Sequence, residues 1–463
     1  MGILQGYVPE HALANLKKYK YSGVDKSLLS NYVLNPFWNQ FVKLWPRTVA
    51  PNTITFLGLC LVLTNFATLL YYDAAYLTEK GGATGPPQWI YFTWAAGLFW
   101  YQSFDAIDGK QARRTGMAGP LGQMFDHGCD ALNTTLEVIL ACRALNLGRS
   151  WWPITSQVAT LANFYLTTWE EFHTGTLYLG YFSGPVEGII MIVILFVLTG
   201  IFVEGIIMIV ILFVLTGIFG TSTWDRPLAD FLPEVLNVKG LVGEFPLNDA
   251  LMVFGGVGLI GNIIASYRNV LKACRKNKES SLTPLVRLIP FVVSTTLHVL
   301  WLAAPLTPSS HLTSNPVTPV DSTVDPHKGF TTVQIAPGKD LLLHSAAFVP
   351  FLCMWGLQFA HQVGRMILAH VTHQPFPMFD AGWIWAAVSL VDAWSWKLFG
   401  RAPVLHSNPL LFILVSLAAS FLAYGRFCIA VINDITNYLG IACFTVRKKD
   451  ANGEWKDAVK KEE

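Results

Sequence analysis

The sequence predicts an all-α, polytopic integral membrane protein with about ten transmembrane helices and an N-terminal amphipathic helix at the membrane surface. Hydrophobic residues make up 52% of the 463 residues and charged residues only 13%, against about 25% charged residues in ordinary soluble proteins. The mean hydropathy is +0.43. So little charge cannot keep a soluble surface hydrated, and most of the surface is expected to face lipid. The same composition excludes a disordered, collagen-like or disulfide-stapled protein.

Apolar stretches long enough to cross a bilayer, which takes about 20 residues as a helix, recur along the chain. The predicted spans are 53–72, 88–107, 123–146, 151–172, 186–219, 248–267, 285–306, 341–361, 381–400 and 409–433.

The segment 27–45, before the first span, is the predicted amphipathic element. Its apolar side chains recur at near-helical spacing: Leu28, Leu29, Tyr32, Val33, Phe37, Phe41, Leu44 and Trp45. Basic residues flank or interrupt them, as in helices that lie on a membrane surface. Pro36 prevents one ideal helix through the whole segment, and an ordinary helix packed on the protein is the alternative.

Loop charge sets the predicted orientation, because cytoplasmic loops are enriched in Lys and Arg. The loops after the second, sixth and tenth spans are basic, so both termini are expected in the cytoplasm. The opposite loops, poor in Lys and Arg, are 73–87, 220–247 and 307–339. Lys460 and Lys461 near the end of the chain resemble a dilysine retrieval signal. We therefore expect the endoplasmic reticulum membrane, with the Golgi as the alternative.

An internal repeat complicates the fifth span. The 17-residue unit VEGIIMIVILFVLTGIF occurs at 186–202 and again at 203–219. One copy is about 26 Å long as a helix. If both copies crossed the membrane, the later basic loops would lie on the opposite side of the membrane from the basic N-terminus. We therefore expect no net extra crossing. The two copies would form one overlong helix, or one copy would lie along the interface.

Four aspartates surround a glycine-rich turn. Asp105 and Asp108 share one face at the end of the second span, and Asp126 and Asp130 share a face of the next helix. The glycines and proline between them predict a tight reversal that joins both pairs at the cytoplasmic mouth of the membrane. Four nearby carboxylates repel one another unless cations hold them. Such acidic oxygen ligands suit Mg²⁺, Mn²⁺ or Ca²⁺, and Mg²⁺ commonly accompanies a phosphate substrate.

Two residues beside these aspartates suit a phosphate-bearing ligand. Gly109 has no side chain, so a ligand can approach the backbone closely. Arg113 offers a planar, permanently charged fork for phosphate oxygens. Helix caps or local ion pairs would explain one or two of the aspartates, but four at this spacing favour a metal and phosphate site.

The stretch DAIDGKQARRTGMAGPLGQMFDHGCD at 105–130 matches the signature of the CDP-alcohol phosphotransferases, D-x2-D-G-x2-A-R-x8-G-x3-D-x3-D, at every fixed position. KYKYSGVDKSLLSNYVLNPFW near the N-terminus, APNTIT at 50–55 and FDHGCD at 125–130 resemble the eukaryotic choline/ethanolamine phosphotransferase branch. The resemblance covers most of the chain and departs at the duplication. The expected regions are a cytoplasmic or interfacial segment (1–50), catalytic helices (51–220), further transmembrane helices (221–440) and a cytoplasmic tail (441–463).

The resemblance implies a reaction between a nucleotide and a lipid. CDP-choline or CDP-ethanolamine would donate its phospho-base to the hydroxyl of diacylglycerol, giving phosphatidylcholine or phosphatidylethanolamine, and CMP. The four aspartates would hold Mg²⁺, or Mn²⁺, against the pyrophosphate. Arg113 and Gly109 would bind the substrate, and Asn52 in APNTIT would contact the CDP group. Relatives are commonly dimers, so a homodimer is a further expectation.

Two residues are candidates for the base that takes the proton of the lipid hydroxyl. Asp130 is the usual family candidate, and His127 is similar to the proton acceptor proposed for this branch. A metal favours the ionised form of a bound carboxylate and so makes it a poor base, whereas a histidine with its usual pKa of about 6.5 suits neutral pH. We predict that His127 is the catalytic base. Glu137 is expected only to make a packing hydrogen bond.

Two other functions are alternatives. A family relative with another acceptor, such as inositol, would share the signature, but FDHGCD and the N-terminal match favour the choline/ethanolamine branch. A membrane cation transporter would also carry intramembrane acids, but we would expect its polar residues in several spans rather than at one mouth. The net charge of +2, from 32 basic and 30 acidic residues, provides no basic field for nucleic acid.

Overall fold

The computed structural model describes residues 7–19, 22–25, 32, 34–73, 85–179, 205–231, 244–305 and 342–458. Its helices are α1 (Glu10–Leu13), α2 (Asn35–Phe41), α3 (Pro51–Tyr72), α4 (Gln88–Thr115), α5 (Pro120–Ala144), α6 (Trp151–Thr174), α7 (Gly205–Phe219), α8 (Leu247–Asn277), α9 (Leu282–Val286), α10 (Ile289–Leu302), α11 (Phe348–Val371), α12 (Gly382–Ala393), α13 (Ser395–Phe399) and α14 (Pro409–Leu439). The described chain is thus mostly helical.

Short strands and 3₁₀ turns complete the described structure. β1 (Gly23–Asp25) pairs in parallel with β2 (Leu177–Leu179), and β3 (Arg447–Lys449) pairs antiparallel with β4 (Trp455–Asp457). The 3₁₀ turns are Ala14–Lys18, Val42–Leu44, Thr221–Asp225, Leu228–Phe231 and Leu405–Ser407.

Within the part of the chain that the structure describes, four helical segments are long and apolar enough to cross a membrane by length and composition. They are Pro51–Tyr72, Leu247–Asn277, Leu282–Leu302 and Pro409–Leu439. These segments indicate a membrane protein, as the composition predicts. The other predicted spans are largely helical where the structure describes them, but the span 341–361 becomes helical only at Phe348 and the span 381–400 is interrupted at Trp394. α4 and α5 also carry the charged residues of the motif. The total of about ten crossings stays a prediction.

The helix boundaries differ from the prediction where charged residues continue a helix beyond its apolar part. α4 extends to Thr115 instead of 107, and α8 extends to Asn277 instead of 267. A search for apolar stretches ends too early in both cases, because Lys and Arg are good helix formers. The extension of α4 is important for the site, because it makes Asp108 and Arg113 helical.

Packing brings α3, α4, α5, α6 and α11 together around the core. α4 packs against α3 and α7, α5 contacts α3, α6 and α11, and α11 also packs on α14. The α3–α4 contact is tight at Gly97, where a Cβ would lie 2.4 Å from Asn65 Nδ2. That amide donates a hydrogen bond to the Trp94 carbonyl oxygen over 3.2 Å. A small residue and a polar side chain thus join the two helices, as is typical within membranes.

The second copy of the repeat supplies α7. Its Phe213 packs on Trp94 of α4, with the ring centroids 5.6 Å apart. The first copy, 186–202, lies outside the described residues, as do Lys460 and Lys461. How the duplication is accommodated therefore stays a prediction.

α2 lies within the segment for which the sequence predicts an amphipathic element. It begins at Asn35 and has Pro36 in its first turn, a position that needs no backbone N–H donor. Trp38 packs with Ile54 and Ile107, so one face of α2 rests on α3 and α4. Its predicted position at the membrane surface stays a prediction.

Candidate active site

The hairpin of α4 and α5 builds the site as the spacing predicts. Gly116 follows α4 with a left-handed φ of +67°, and the Met117 N–H donates to the Ala112 carbonyl oxygen over 2.9 Å. This glycine-terminated helix end lets the backbone reverse at little steric cost. Pro120 occupies the first turn of α5, so the start of α5 returns alongside the end of α4.

The reversal brings the four motif aspartates together. Carboxylate oxygens of Asp105, Asp108 and Asp126 lie within 4.8 Å of one another, and Asp126 forms a second such group with His127 and Asp130. Oδ1 of Asp126 is buried and has no hydrogen-bond partner among the described residues. A buried carboxylate oxygen without a donor is costly, so this arrangement favours a bound cation.

Two hydroxyl groups orient the aspartates. Thr55 Oγ1 on α3 donates to Asp108 Oδ2, and Tyr101 OH on α4 donates to Asp130 Oδ1 over 2.5 Å. Supporting hydrogen bonds of this kind fix the orientation of metal-binding carboxylates. Carboxylate oxygens are also the ligands that Mg²⁺ and Mn²⁺ prefer. The donor set and its support therefore fit a divalent metal.

His127 lies one residue after Asp126 and faces Asp130. Its Nδ1 is 3.6 Å from Asp130 Oδ2, which is an ion-pair distance but too long for a hydrogen bond. Its Nε2 is buried and finds no hydrogen-bond partner in the part of the chain that the structure describes. One ring nitrogen therefore faces a carboxylate, and the other is available to a ligand.

All eight predicted site residues line one open cavity of about 840 Å³, which is within the range of about 300–1,000 Å³ typical of ligand pockets. They are Asn52, Asp105, Asp108, Gly109, Arg113, Asp126, His127 and Asp130. The lining continues along α5 to Glu137 and along α6 to Thr160. Since a helix rises about 1.5 Å per residue, Glu137 lies about 10 Å beyond Asp130 along α5. The site thus extends from the helix ends into the bundle.

The three residues predicted to bind substrate also line this cavity. Arg113 is exposed, and its Nη1 is the nearest atom that a Cβ on Gly109 would meet, at 3.8 Å. Asn52 is 5% exposed and donates from Nδ2 to Cys443 Sγ over 3.4 Å. The structure therefore brings all three beside the carboxylates.

Sequence reasoning missed Tyr101 and Gln123, which line the cavity. Tyr101 precedes Asp105 by one helical turn, so helical spacing alone could have identified it. Gln123 Nε2 donates to Glu171 Oε1 over 2.6 Å, and His370 Nε2 lies 3.9 Å from the same oxygen. This network joins α5, α6 and α11 through long-range contacts for which the sequence gives no local signal.

Comparison with known proteins agrees with the motif. The family model described as CDP-alcohol phosphatidyltransferase matches residues 48–217, a range that includes every predicted site residue.

Relatives match over nearly the whole chain. An uncharacterized CDP-alcohol phosphatidyltransferase class-I family protein of Schizosaccharomyces pombe is 37% identical over 439 residues, which cover 94% of this chain and 97% of that protein. Cholinephosphotransferase 1 of Saccharomyces cerevisiae is 34% identical over 444 residues, 95% of this chain and 98% of that protein. Choline/ethanolaminephosphotransferase 1 of the same yeast is 32% identical over 455 residues, 96% and 98% of the two chains. The chain therefore belongs to the CDP-alcohol phosphatidyltransferase family, in the branch of the choline/ethanolaminephosphotransferases.

Proposed function

We propose that the chain is an enzyme that transfers phosphocholine, phosphoethanolamine or both from the CDP-alcohol to diacylglycerol. The products are phosphatidylcholine or phosphatidylethanolamine, and CMP. The observation that carries the proposal is the cavity in which four carboxylates, an arginine and a histidine face one space at the ends of apolar helices. A water-soluble nucleotide and a lipid alcohol can meet at such a boundary. The two S. cerevisiae relatives, whose names state this transferase activity, match nearly end to end.

Asp105, Asp108, Asp126 and Asp130 would hold Mg²⁺, with Mn²⁺ as the alternative. When bound, the metal supplies positive charge that stabilises the negative charge developing on the departing CMP. Thr55 and Tyr101 hold two of the carboxylates in fixed orientations. The arrangement is therefore formed before the substrate arrives.

His127 accepts the proton of the diacylglycerol hydroxyl in this proposal. Asp130 faces its Nδ1 and leaves Nε2 as the acceptor, which is how a carboxylate positions a catalytic histidine. The lipid oxygen bonds to the phosphorus that bears the choline or ethanolamine. The bond from that phosphorus to the bridging oxygen breaks, and CMP leaves with the electron pair. Asp130 is the alternative base.

The His127→Ala variant distinguishes the two candidate bases. We expect it to lose turnover while CDP-choline binding survives, because His127 takes the proton and does not hold the nucleotide. Near-normal turnover would reject His127 and favour Asp130.

Arg113, Gly109 and Asn52 bind the CDP-alcohol at the mouth of the cavity. Arg113 provides several N–H donors for phosphate oxygens, and the bare backbone at Gly109 lets a phosphate lie close. Asn52, at the start of α3, contacts the nucleotide. These three roles are supported by their shared position in the cavity lining.

The enzyme would be a multi-pass protein of the endoplasmic reticulum membrane, or of the Golgi, with both termini in the cytoplasm, and it would form a homodimer. The apolar helices and the basic loops support the membrane topology. Protease accessibility of a C-terminal tag in sealed microsomes tests the sidedness, and a protected tag would contradict it.

A direct assay tests the function. Purified protein in lipid nanodiscs is given CDP-choline or CDP-ethanolamine, diacylglycerol and Mg²⁺ or Mn²⁺, and CMP and phospholipid are measured. We expect release of CMP that requires both diacylglycerol and the metal. Product formation only with inositol as the acceptor would favour the other family reaction, and cation uptake without CMP release would favour transport.

A further inference from the structure

The chain that follows α14 folds back over the catalytic helices. α14 is followed by Gly440, whose φ is +61°, and Ile441 forms an antiparallel bridge with Lys448. We call residues 441–448 the C-terminal strap. The sequence predicts only a cytoplasmic tail for this region, whereas the structure gives it defined contacts with the candidate active site.

The strap first contacts the start of α3. Thr445 forms an antiparallel bridge with Val49, and the Phe444 carbonyl oxygen accepts a hydrogen bond from Thr53 Oγ1 over 3.2 Å. Between these contacts, Cys443 Sγ accepts from Asn52 Nδ2 over 3.4 Å. Three consecutive residues of the strap thus meet the stretch around Asn52.

The strap also contacts the turn between α4 and α5. Lys448 Nζ donates to the Gly116 carbonyl oxygen over 2.6 Å. Val446 is 4% exposed and packs with Met117 of the turn. The Phe444 ring lies edge-on to Phe125 of α5, with the centroids 5.4 Å apart. One short segment therefore contacts α3, the turn and α5 beside residues that line the cavity.

We propose that the strap positions the donor-substrate site, with Cys443 and Lys448 as its positioning residues. This inference rests on the proposed function, in which Asn52 and the α4–α5 turn bind the CDP-alcohol. The bond to Cys443 fixes the donor end of the Asn52 amide against the strap. The acceptor Oδ1 then lies on the cavity side, 4.0 Å from where a Cβ on Gly122 would be. Lys448 holds the Gly116 carbonyl oxygen at the end of α4, the helix whose spacing places Arg113 beside Gly109.

The strap contacts no predicted metal ligand through these bonds, so its loss should affect nucleotide binding more than chemistry. Losing one hydrogen bond of ordinary strength predicts an increase of about fivefold in the KM for CDP-choline. We expect this increase for Cys443→Ala and for Lys448→Met. The kcat and the KM for diacylglycerol should change by less than about twofold, because the hydrogen bonds of Cys443 and Lys448 do not contact the reacting atoms.

Two variants control for general damage. Cys443→Ser keeps an acceptor for the Asn52 amide, so it should restore most of the affinity for CDP-choline. Lys449→Met removes the same charge one residue later. The Lys449 ammonium lies over the Trp455 ring at 5.2 Å instead of on the catalytic turn, so this variant should retain the wild-type KM.

The experiment measures initial rates of the full-length protein in nanodiscs against both substrates, together with thermal unfolding. A selective increase in the KM for CDP-choline in Cys443→Ala and Lys448→Met supports the proposed positioning role of the strap. An unchanged KM for CDP-choline in both variants overturns the proposal. So does a lower kcat at constant KM that accompanies a lower unfolding temperature. Absence of CMP release by the wild type contradicts the proposed function instead, and titration of the same variants with CDP-choline by calorimetry then tests the strap separately. Equal affinities in that titration would also overturn it.

Discussion

Tyr101 supports the candidate metal site from within the protein core, and its hydroxyl can be removed with little change of shape. Tyr101 is 2% exposed and donates to Asp130 Oδ1 over 2.5 Å. A hydrogen bond to a charged group is worth about 1.5–3 kcal/mol. Losing a partner that orients a metal ligand lowers metal affinity or activity about 10- to 100-fold. We therefore expect Tyr101→Phe to need about 10- to 100-fold more Mg²⁺ for half-maximal activity.

Tyr165 provides the matched control. It is 1% exposed, and its hydroxyl donates to the Arg287 carbonyl oxygen over 2.8 Å, away from the carboxylates. Tyr165→Phe removes a hydrogen bond to a neutral carbonyl, so it should lose about 1 kcal/mol of stability and keep the Mg²⁺ requirement of the wild type. The assay is diacylglycerol-dependent CMP release titrated with Mg²⁺. An unchanged requirement in Tyr101→Phe, or the same shift in both variants, would refute the proposed support of Asp130.

Three further predictions concern binding and stability. Arg113→Lys should raise the KM for CDP-choline about tenfold, because an ammonium cannot form the two parallel bonds of a guanidinium; steady-state rates check this. Gly97→Ala should destabilise the protein by about 1–3 kcal/mol through overpacking against Asn65, seen as a lower unfolding temperature. Burial acts to raise the pKa of Asp380, but the hydrogen bonds from His361 and the Gly382 N–H and the charges of His361 and Arg365 together outweigh burial and hold the pKa below its usual value. The stability that ionised Asp380 contributes is therefore fully present above the usual pKa of an aspartate and is lost as the pH falls through the lowered pKa. Asp380→Asn should flatten the pH dependence of the free energy of unfolding below about pH 4.

The arrangement of the four aspartates could be predicted because it depends only on local rules. Helical spacing places Asp105 with Asp108 and Asp126 with Asp130, and a glycine-rich turn folds one pair onto the other. Each step acts over a few residues of sequence, so the structure confirms the grouping. The function of the group depended on the family signature, because carboxylates alone do not identify a nucleotide or a head group.

The remaining features depend on contacts that no local pattern reveals. Asn52 and Cys443 are 391 residues apart in sequence, and neither position indicates the other. His361 pairs with Asp380 at 2.9 Å because the chain after α11 returns to that helix. Composition could predict apolar spans, but it could not predict that the C-terminal strap after the last span folds onto the site.

The position of a radioactive phosphate tests the central claim most directly. CDP-choline labelled on the phosphate next to choline is incubated with the protein, diacylglycerol and Mg²⁺ in nanodiscs. Transfer by attack of the lipid hydroxyl predicts that this label appears in phosphatidylcholine, while label on the other phosphate appears in CMP. Label released as free phosphocholine or inorganic phosphate, without labelled phospholipid, would contradict the proposed function.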